Sequence, residues 1–328
     1  MQCFQSILDT GGNFFKIVMF NLMKRKRTYD MILPLRWIFA TLFSITVAVC
    51  PTYASDDWTP LIKRLVADNF EEKEMRALFA HPGLRFEPGA MSSKLRELVN
   101  NRYRKPGAVP TGKYKAAYDR FLTPAAIAGA RSYTEKNMAT LTDVEKAYCV
   151  PKEVVVAILL VETDLEGFLG ARPAFNTLAS MALTADLETL RPYLPPDLIT
   201  PDNEDFAKKR CNQKSDWAYR ELKALIRYAS GRGIDPLGIP GSIYGAIGIC
   251  QFMPSVIFSH GIDGDNDGQI DVFGKKDAYS SIANYLRIHG WKCETNKKRQ
   301  RKIIMAYNHS NIYANTVLRV AEKLKQRN

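Results

Sequence analysis

Val154-Val155-Val156-Ala157-Ile158-Leu159-Leu160-Val161-Glu162 sets eight apolar residues in a row and ends them on a carboxylate. Pro151 precedes the run at a position suited to a first helical turn. Because the run leaves no polar stripe, a helix built from it is buried on every face and passes through the middle of a domain. A carboxylate at its end loses hydration, which disfavours the charged form and raises its pKa, as a general acid near neutral pH requires. From this segment alone, a plain carboxylate at the first exposed turn of a core helix is an equal alternative. Beyond it, Thr163, Asp164 and the stretch from Gly167 to Gly170 return the chain toward solvent. Glu166 reads as lying on the same helical face as Glu162 one turn later, and Asp164 points elsewhere, so neither opposes Glu162 across a substrate. The paired carboxylates of an ordinary glycosidase therefore lack a second member nearby.

Outward from this helix the pattern stays helical. Apolar residues recur at three- and four-residue spacing through Leu61 to Phe79 and Ser93 to Val99, and strand-like alternation is scarce. Thr123-Pro124 and Val150-Pro151 mark helix starts, Asp277 is placed to cap a helix from Ala278 to His289, and a last amphipathic helix is expected over Tyr313 to Lys325. The stretch Arg191 to Ser215, rich in breakers early and in charge later, reads as an irregular excursion over the surface. The basic run Lys297 to Lys302 reads as a solvated loop or helix start.

The first 54 residues differ in kind. Lys24, Arg25, Lys26, Arg27 and Arg36 precede the apolar run Trp37 to Cys50, and Thr52-Tyr53-Ala54 follows, the order of a secretory signal peptide cleaved after Ala54. Left uncleaved, this segment would hold the protein at the membrane. Cys50 is a poor lipidation site, with Val49 ahead and Pro51 behind. The leader carries six Lys/Arg and two Asp/Glu, so its removal takes the formal charge of +12 down by 4, to +8. A basic exported protein suits an anionic polymer or membrane surface, and no nucleic acid is expected as a partner in that compartment. Of the six cysteines, Cys149, Cys211, Cys250 and Cys293 remain, open to three pairings in an oxidising space and without the close spacing of a zinc site.

Two downstream clusters bear on chemistry. Gly241-Ser242-Ile243-Tyr244-Gly245-Ala246-Ile247-Gly248-Ile249-Cys250-Gln251-Phe252-Met253-Pro254-Ser255 combines backbone-permissive glycines with an amide and two soft apolar faces. Tyr307-Asn308-His309-Ser310-Asn311-Ile312-Tyr313 adds aromatic and amide groups. Sugars favour such mixtures, their hydroxyls taking hydrogen bonds and their C–H faces stacking on apolar surface, although either cluster alone is compatible with ordinary turn chemistry. Taken in order, Val161-Glu162-Thr163, Gly245 to Ser255, Ala283-Asn284-Tyr285 to His289-Gly290-Trp291, and Tyr307-Asn308 to Tyr313 resemble the membrane-bound lytic murein transglycosylase B family, over about Thr123 to Leu318.

The resemblance implies a mainly α, lysozyme-like catalytic domain with an N-terminal helical region. It implies cleavage of the β-1,4 bond between N-acetylmuramic acid and N-acetylglucosamine in peptidoglycan glycan strands, without water, leaving 1,6-anhydromuramoyl ends. One carboxylate suffices for that chemistry: Glu162 protonates the leaving oxygen, the substrate's N-acetyl group stabilises the positive centre, and Glu162 then takes the C6 hydroxyl proton. Position by position, the resemblance gives Ser242 and Gln251 the task of orienting the sugar and the acid. It places Phe252 and Met253 on the wall of the site, and Tyr285, Tyr307, Asn308 and Tyr313 around the reacting ring. Where the family commonly has paired arginines, this chain reads Met181-Ala182-Leu183-Thr184-Ala185-Asp186.

Asp263-Gly264-Asp265-Asn266-Asp267-Gly268-Gln269-Ile270-Asp271 matches the first nine positions of an EF-hand loop, with carboxylates at Asp263, Asp265 and Asp267, glycine at the sixth position and a carbonyl ligand at Gln269. Gly274 occupies the twelfth position, where glutamate is usual, so the loop must close later. Asp277 is the candidate, and the family closes a lengthened loop with an aspartate there. A structural Ca2+ is expected, with magnesium or sodium as alternatives, and no organic cofactor. The expected organisation is a leader over 1–54, an N-terminal helical region over 55–122 and a catalytic domain over 123–328 with the metal loop at 263–277, acting as a monomer. Two other readings stay open: a muramidase that hydrolyses the same bond, and a catalytically silent peptidoglycan-binding protein.

Overall fold

The structure, a computed structural model, describes residues 57–103 and 116–326. The leader assigned to residues 1–54 lies outside the described residues. Three helices open the described chain: α1 (Thr59–Ala67), α2 (Glu72–Phe79) and α3 (Gly89–Tyr103). After a helical turn over 116–119 and the 3-10 turn Arg120–Leu122 come α4 (Pro124–Lys136), α5 (Met138–Tyr148) and α6 (Lys152–Thr163). A two-residue strand β1 (Arg172–Pro173) leads into α7 (Ala174–Leu183), α8 (Leu187–Leu190) and the long α9 (Glu204–Arg232). Strand β2 (Pro240–Gly241) pairs antiparallel with β1, and the chain closes with α10 (Pro254–His260), α11 (Lys275–Ile288), α12 (Lys297–Tyr307) and α13 (Asn311–Lys325).

Helix α6 is the axis. Val155, Val156, Ala157, Ile158 and Leu159 are all 0% exposed, as an apolar run without a polar stripe demands. Neighbours surround it: α4, α5, α11 and α13 pack directly on it. A second packing centre forms where α9 lies along α7, and α1 and α3 join these two helices, so the apolar core runs without a break from Trp58 to Ala321. Each large aliphatic side chain buried this way contributes about 1.5–3 kcal/mol relative to exposure.

Local chemistry explains several of the helix starts. Thr123 caps α4, its hydroxyl accepting from Ala126 N, with Pro124 in the first turn. Asn296 caps α12 and Ser310 caps α13, each accepting a backbone N–H from the first turn. The basic run Lys297 to Lys302 is thus a helix start.

Three expectations are corrected. The stretch Arg191 to Ser215 is irregular only as far as Asn203; from Glu204 onward it belongs to α9, a 29-residue helix whose buried face, including Ala207, Cys211, Ser215 and Ala218, outweighs the charge that made it look like loop. Asp277 is not a cap, because α11 begins two residues earlier at Lys275. Glu166 does not share a helical face with Glu162, because α6 ends at Thr163 and Asp164 turns left-handed (φ 53°).

A disulfide joins Cys149 to Cys293, which are 144 residues apart in sequence, and Trp291 Nε1 donates to the Cys149 carbonyl at 3.1 Å beside it. The bridge fastens the entry to α6 to the loop between α11 and α12. Cys211 and Cys250 are buried free thiols. A cross-link closing so long a loop stabilises by about 2–5 kcal/mol. Reduction with dithiothreitol, or Cys149→Ser, is therefore expected to lower the thermal midpoint by several degrees, read by scanning calorimetry, whereas Cys211→Ser leaves the response to reduction unchanged.

Candidate active site

Glu162 is the penultimate residue of α6, half-buried where its helix leaves the core. Three groups feel its charge. Tyr313, 1% exposed at the start of α13, interacts with Glu162 through its hydroxyl, and burial together with the Glu162 charge drives its pKa well above the usual tyrosine range. Burial does the same to Tyr307, with Cys250 and Glu162 adding to the effect. The Cys250 thiol is pushed up to about 12, first by burial and also by Glu162. These phenols stay protonated at any working pH, so they can donate hydrogen bonds but cannot act as bases.

The segment 241–255 wraps around this cluster. The Tyr307 hydroxyl donates to the Cys250 carbonyl, and the Phe252 ring lies 5.7 Å from that of Tyr307 and 5.6 Å from that of Tyr285. Tyr285 donates to the Ala306 carbonyl at 2.8 Å and stacks on His289 with ring centroids 4.1 Å apart, while His260 lies 4.7 Å from Tyr285 and 5.6 Å from His289, the three rings forming a triangle. Gln251 adopts φ 52° and is buried; its Nε2 donates to the Gly248 carbonyl at 2.9 Å and to the Leu169 carbonyl at 3.4 Å, linking this segment to the chain just past Glu162. Gly248 is required as glycine: φ is +74°, and a Cβ there would stand 2.5 Å from the Val272 carbonyl oxygen.

The structure thus brings Glu162, Gln251, Phe252, Tyr285, Tyr307 and Tyr313 into one interlocked cluster. Asn308, between the tyrosines in sequence, is buried, and its Oδ1 has no hydrogen-bond partner. Ser242 serves its own turn, its hydroxyl accepting from Ala246 N at 3.0 Å, and Met253 is buried at the N-terminal end of α10. Met181 and Ala182, at the departure from the family's arginines, are buried in α7. Two contributors escape a reading of sequence. Tyr118 is buried close enough to raise the pKa of Tyr313 further. Glu221 on α9 accepts from both Ser255 N (2.9 Å) and Ser255 Oγ (2.8 Å), fastening α10 and the segment that precedes it, and burial pushes its carboxyl up. Neither residue belongs to a local motif; only tertiary packing brings them in.

At the metal loop, the carboxylates of Asp263, Asp265 and Asp267 converge, with one oxygen of each within 4.8 Å of the others. Asp263 accepts from Asp267 N and Gly268 N, which curls the loop around the cluster. Asp277 is buried behind it and accepts from Gly264 N at 2.8 Å and Asp271 N at 2.6 Å, while Gln269 N donates to Asp267. Burial, and then the charges of Asp265 and Asp263, hold the Asp277 carboxyl above its ordinary range against those two hydrogen bonds. Three carboxylates this close repel one another unless a cation lies between them.

The family model of the transglycosylase SLT domain matches residues 54–301. The chain belongs to this family. Membrane-bound lytic murein transglycosylase B of Escherichia coli (strain K12) is 26% identical over 187 residues, a match covering 57% of this chain and 45% of that protein, so the chain matches under half of its relative's length. Among solved structures, the Escherichia coli lytic transglycosylase Slt35 in complex with calcium superposes with a TM-score of 0.62 at 18% identity, covering 83% of this chain and 93% of that one. SltB3 from Pseudomonas aeruginosa in complex with NAG-anhNAM-pentapeptide gives 0.62 at 18%, covering 82% of this chain and 78% of that one. The mainly α, lysozyme-like fold expected from the sequence is the fold observed.

The histidines beside Tyr285 carry a measurable consequence. Burial and the neighbouring His289 hold the pKa of His260 below 6.5. The unfolded chain therefore takes up this proton at higher pH than the folded protein. The stabilisation is complete above 6.5 and is lost as pH falls from there through the folded value. The thermal midpoint is expected to drop between about pH 7 and 5, and His260→Gln to make that drop shallower, in paired calorimetric scans.

Proposed function

We propose that this protein is a lytic transglycosylase of peptidoglycan, cleaving the β-1,4 bond between N-acetylmuramic acid and N-acetylglucosamine with Glu162 as its acid and base. The observation that carries this is the placement of Glu162: it stands half-buried at the end of α6, and its charge reaches Tyr313, Tyr307 and Cys250. Hydrolysis by paired carboxylates needs a partner about 5–9.5 Å away. A single carboxylate is enough when the nucleophile belongs to the substrate.

In the first step Glu162 gives its proton to the glycosidic oxygen, the bond from C1 to that oxygen breaks, and the carbonyl of the 2-acetamido group stabilises C1. In the second, the C6 hydroxyl of the same sugar bonds to C1 and its proton returns to Glu162, restoring the starting state. In this reading Tyr313 and Tyr307 flank the acid and Asn308 serves the reacting ring, Gln251 and Ser242 shape the turn over 242–251, and Phe252, Met253 and Tyr285 supply apolar support. The E. coli relative is named for this activity, and SltB3 has been seen with a fragment carrying an anhydro sugar.

Muropeptides released from purified peptidoglycan by the chain without its leader are expected to carry anhydromuramoyl ends by mass spectrometry. Glu162→Gln should lower release by about a thousand-fold or more, since proton transfer is lost at both steps. Reducing ends would instead identify a muramidase, and no release a binding protein.

The same reading extends to metal and place. Asp263, Asp265, Asp267 and the Gln269 carbonyl would hold a Ca2+, with Asp277 closing the loop from behind; the ion's work is to stiffen the wall between α10 and α11. Slt35 has been solved with calcium. Calcium at a hundred times its dissociation constant would add about 2.7 kcal/mol of stability. The thermal midpoint should rise with calcium, fall with EDTA and lose both responses in Asp265→Asn. The basic leader supports export to the periplasm, with peptidoglycan as the partner; membrane association through the N-terminus belongs to the alternative in which the leader is kept, and we read the protein as a monomer. Among the described residues no helix is long and apolar enough to cross a membrane.

A further inference from the structure

Directly after α6 the backbone passes through Asp164, Leu165 and Glu166 at φ of 53°, 58° and 74°. Three consecutive non-glycine residues in the left-handed region are strained, because each Cβ crowds the following carbonyl oxygen. Such a segment persists only where its surroundings over-determine it. Part of the restraint is local: Leu165 N donates to the Leu159 carbonyl at 3.2 Å, Glu166 N to Thr163 Oγ1 at 3.1 Å and Phe168 N to the Thr163 carbonyl at 2.9 Å.

The rest comes through one side chain. The Glu166 carboxylate accepts from the Tyr133 hydroxyl of α4. That hydroxyl also lies 2.5 Å from the hydroxyl of Tyr279, a fully enclosed residue of α11. Lys275, the first residue of α11, brings its ammonium to 3.4 Å from the same carboxylate and donates to Asn137 Oδ1 at 3.2 Å. Glu166 is therefore held from α4, from the junction after it and from the first turn of α11, which also carries Asp277 of the acidic loop.

We propose that Glu166 is a positioning residue: gripped by Tyr133 and Lys275, with Tyr279 bonded to the Tyr133 hydroxyl behind it, it locks the left-handed turn over 164–166 and so fixes the end of α6 from which Glu162 points. For its catalytic consequence this rests on the reading of Glu162 above. The lock also ties the aim of Glu162 to the loop that would hold calcium, through the first turn of α11.

Four variants of the full chain separate the lock from a generic contribution to stability. Glu166→Ala leaves the strain and removes the grip. It should lower kcat by about ten- to a hundred-fold with KM within about two-fold, the pattern of a misplaced catalytic group. Glu166→Gln still offers Tyr133 an acceptor and should stay within about three-fold of wild type. Glu166→Gly relieves the backbone strain and should recover at least about three-fold of what alanine loses. Tyr133→Phe, which leaves the turn's own residues intact, should fall between wild type and alanine. Amide exchange over 163–168, followed by mass spectrometry, should quicken about ten-fold in Glu166→Ala and little in Glu166→Gln. Wild-type kcat in Glu166→Ala, an effect on KM alone, a glutamine variant as damaged as alanine, or an unchanged exchange rate would each overturn the proposal. If the wild type releases no anhydro product, the reading of the reaction fails, and the exchange measurement alone decides whether Glu166 locks the turn.

Discussion

The structure depends on the cost of leaving the face of α6 uncovered. A helix apolar all round must be surrounded, and α4, α5, α11 and α13 are the elements that surround it. Their packing fixes where the helix can emerge and hence where Glu162 stands. It also delivers Tyr313 from α13, Tyr285 from α11 and Tyr307 from the helix between them, so the aromatic cluster is a by-product of enclosing one helix. Glu162, the acid of the proposed reaction, is placed by the core rather than by a loop, and rigid elements hold a side chain more tightly than loops do.

Two layers of constraint act on that acid. First, Tyr313, whose phenol burial keeps protonated, meets it through its hydroxyl, while the hydroxyl of the neighbouring Tyr307 donates to the Cys250 carbonyl. Second, the strained turn just after it is held through Glu166 by Tyr133 and Lys275, with Tyr279 bonded to Tyr133. The close approach of β1 and β2 and the reach of Gln251 to the Leu169 carbonyl join the two layers. A buried polar network of this kind specifies one arrangement because every alternative leaves a desolvated group without its partner.

What the sequence disclosed followed periodicity and local motifs. The apolar run to Glu162, the caps at Thr123 and Pro124, the last helix and the acidic loop are all encoded within a few neighbouring residues, and each was legible. The reading failed where tertiary packing overrode local signals. Glu204 to Ser215 looked like loop because its charge is visible in sequence and its buried stripe is diluted. Glu166 was placed on a helix because nothing in Thr163-Asp164-Leu165 announces a left-handed stop that a glycine would have marked. The partners of Glu166 lie 33 residues before it and over a hundred after it, beyond any local motif. Tyr118 and Glu221 were invisible for the same reason.

The two thiols sealed in the core bear on how the chain can be made. Cys211 and Cys250 are held as unreactive protonated groups, pushed up to about 11 and about 12 mainly by burial. Once residues 1–54, which carry Cys3 and Cys50, are set aside, four cysteines of the unfolded chain are open to oxidation, and only one of their three complete pairings contains the native bridge. Once α6, α7 and α9 have closed their interior, two of the four are withdrawn and a single partner choice is left. Correct oxidation is therefore a matter of timing: the order in which collapse and thiol chemistry occur selects the product, and a chain that oxidises before it collapses is trapped.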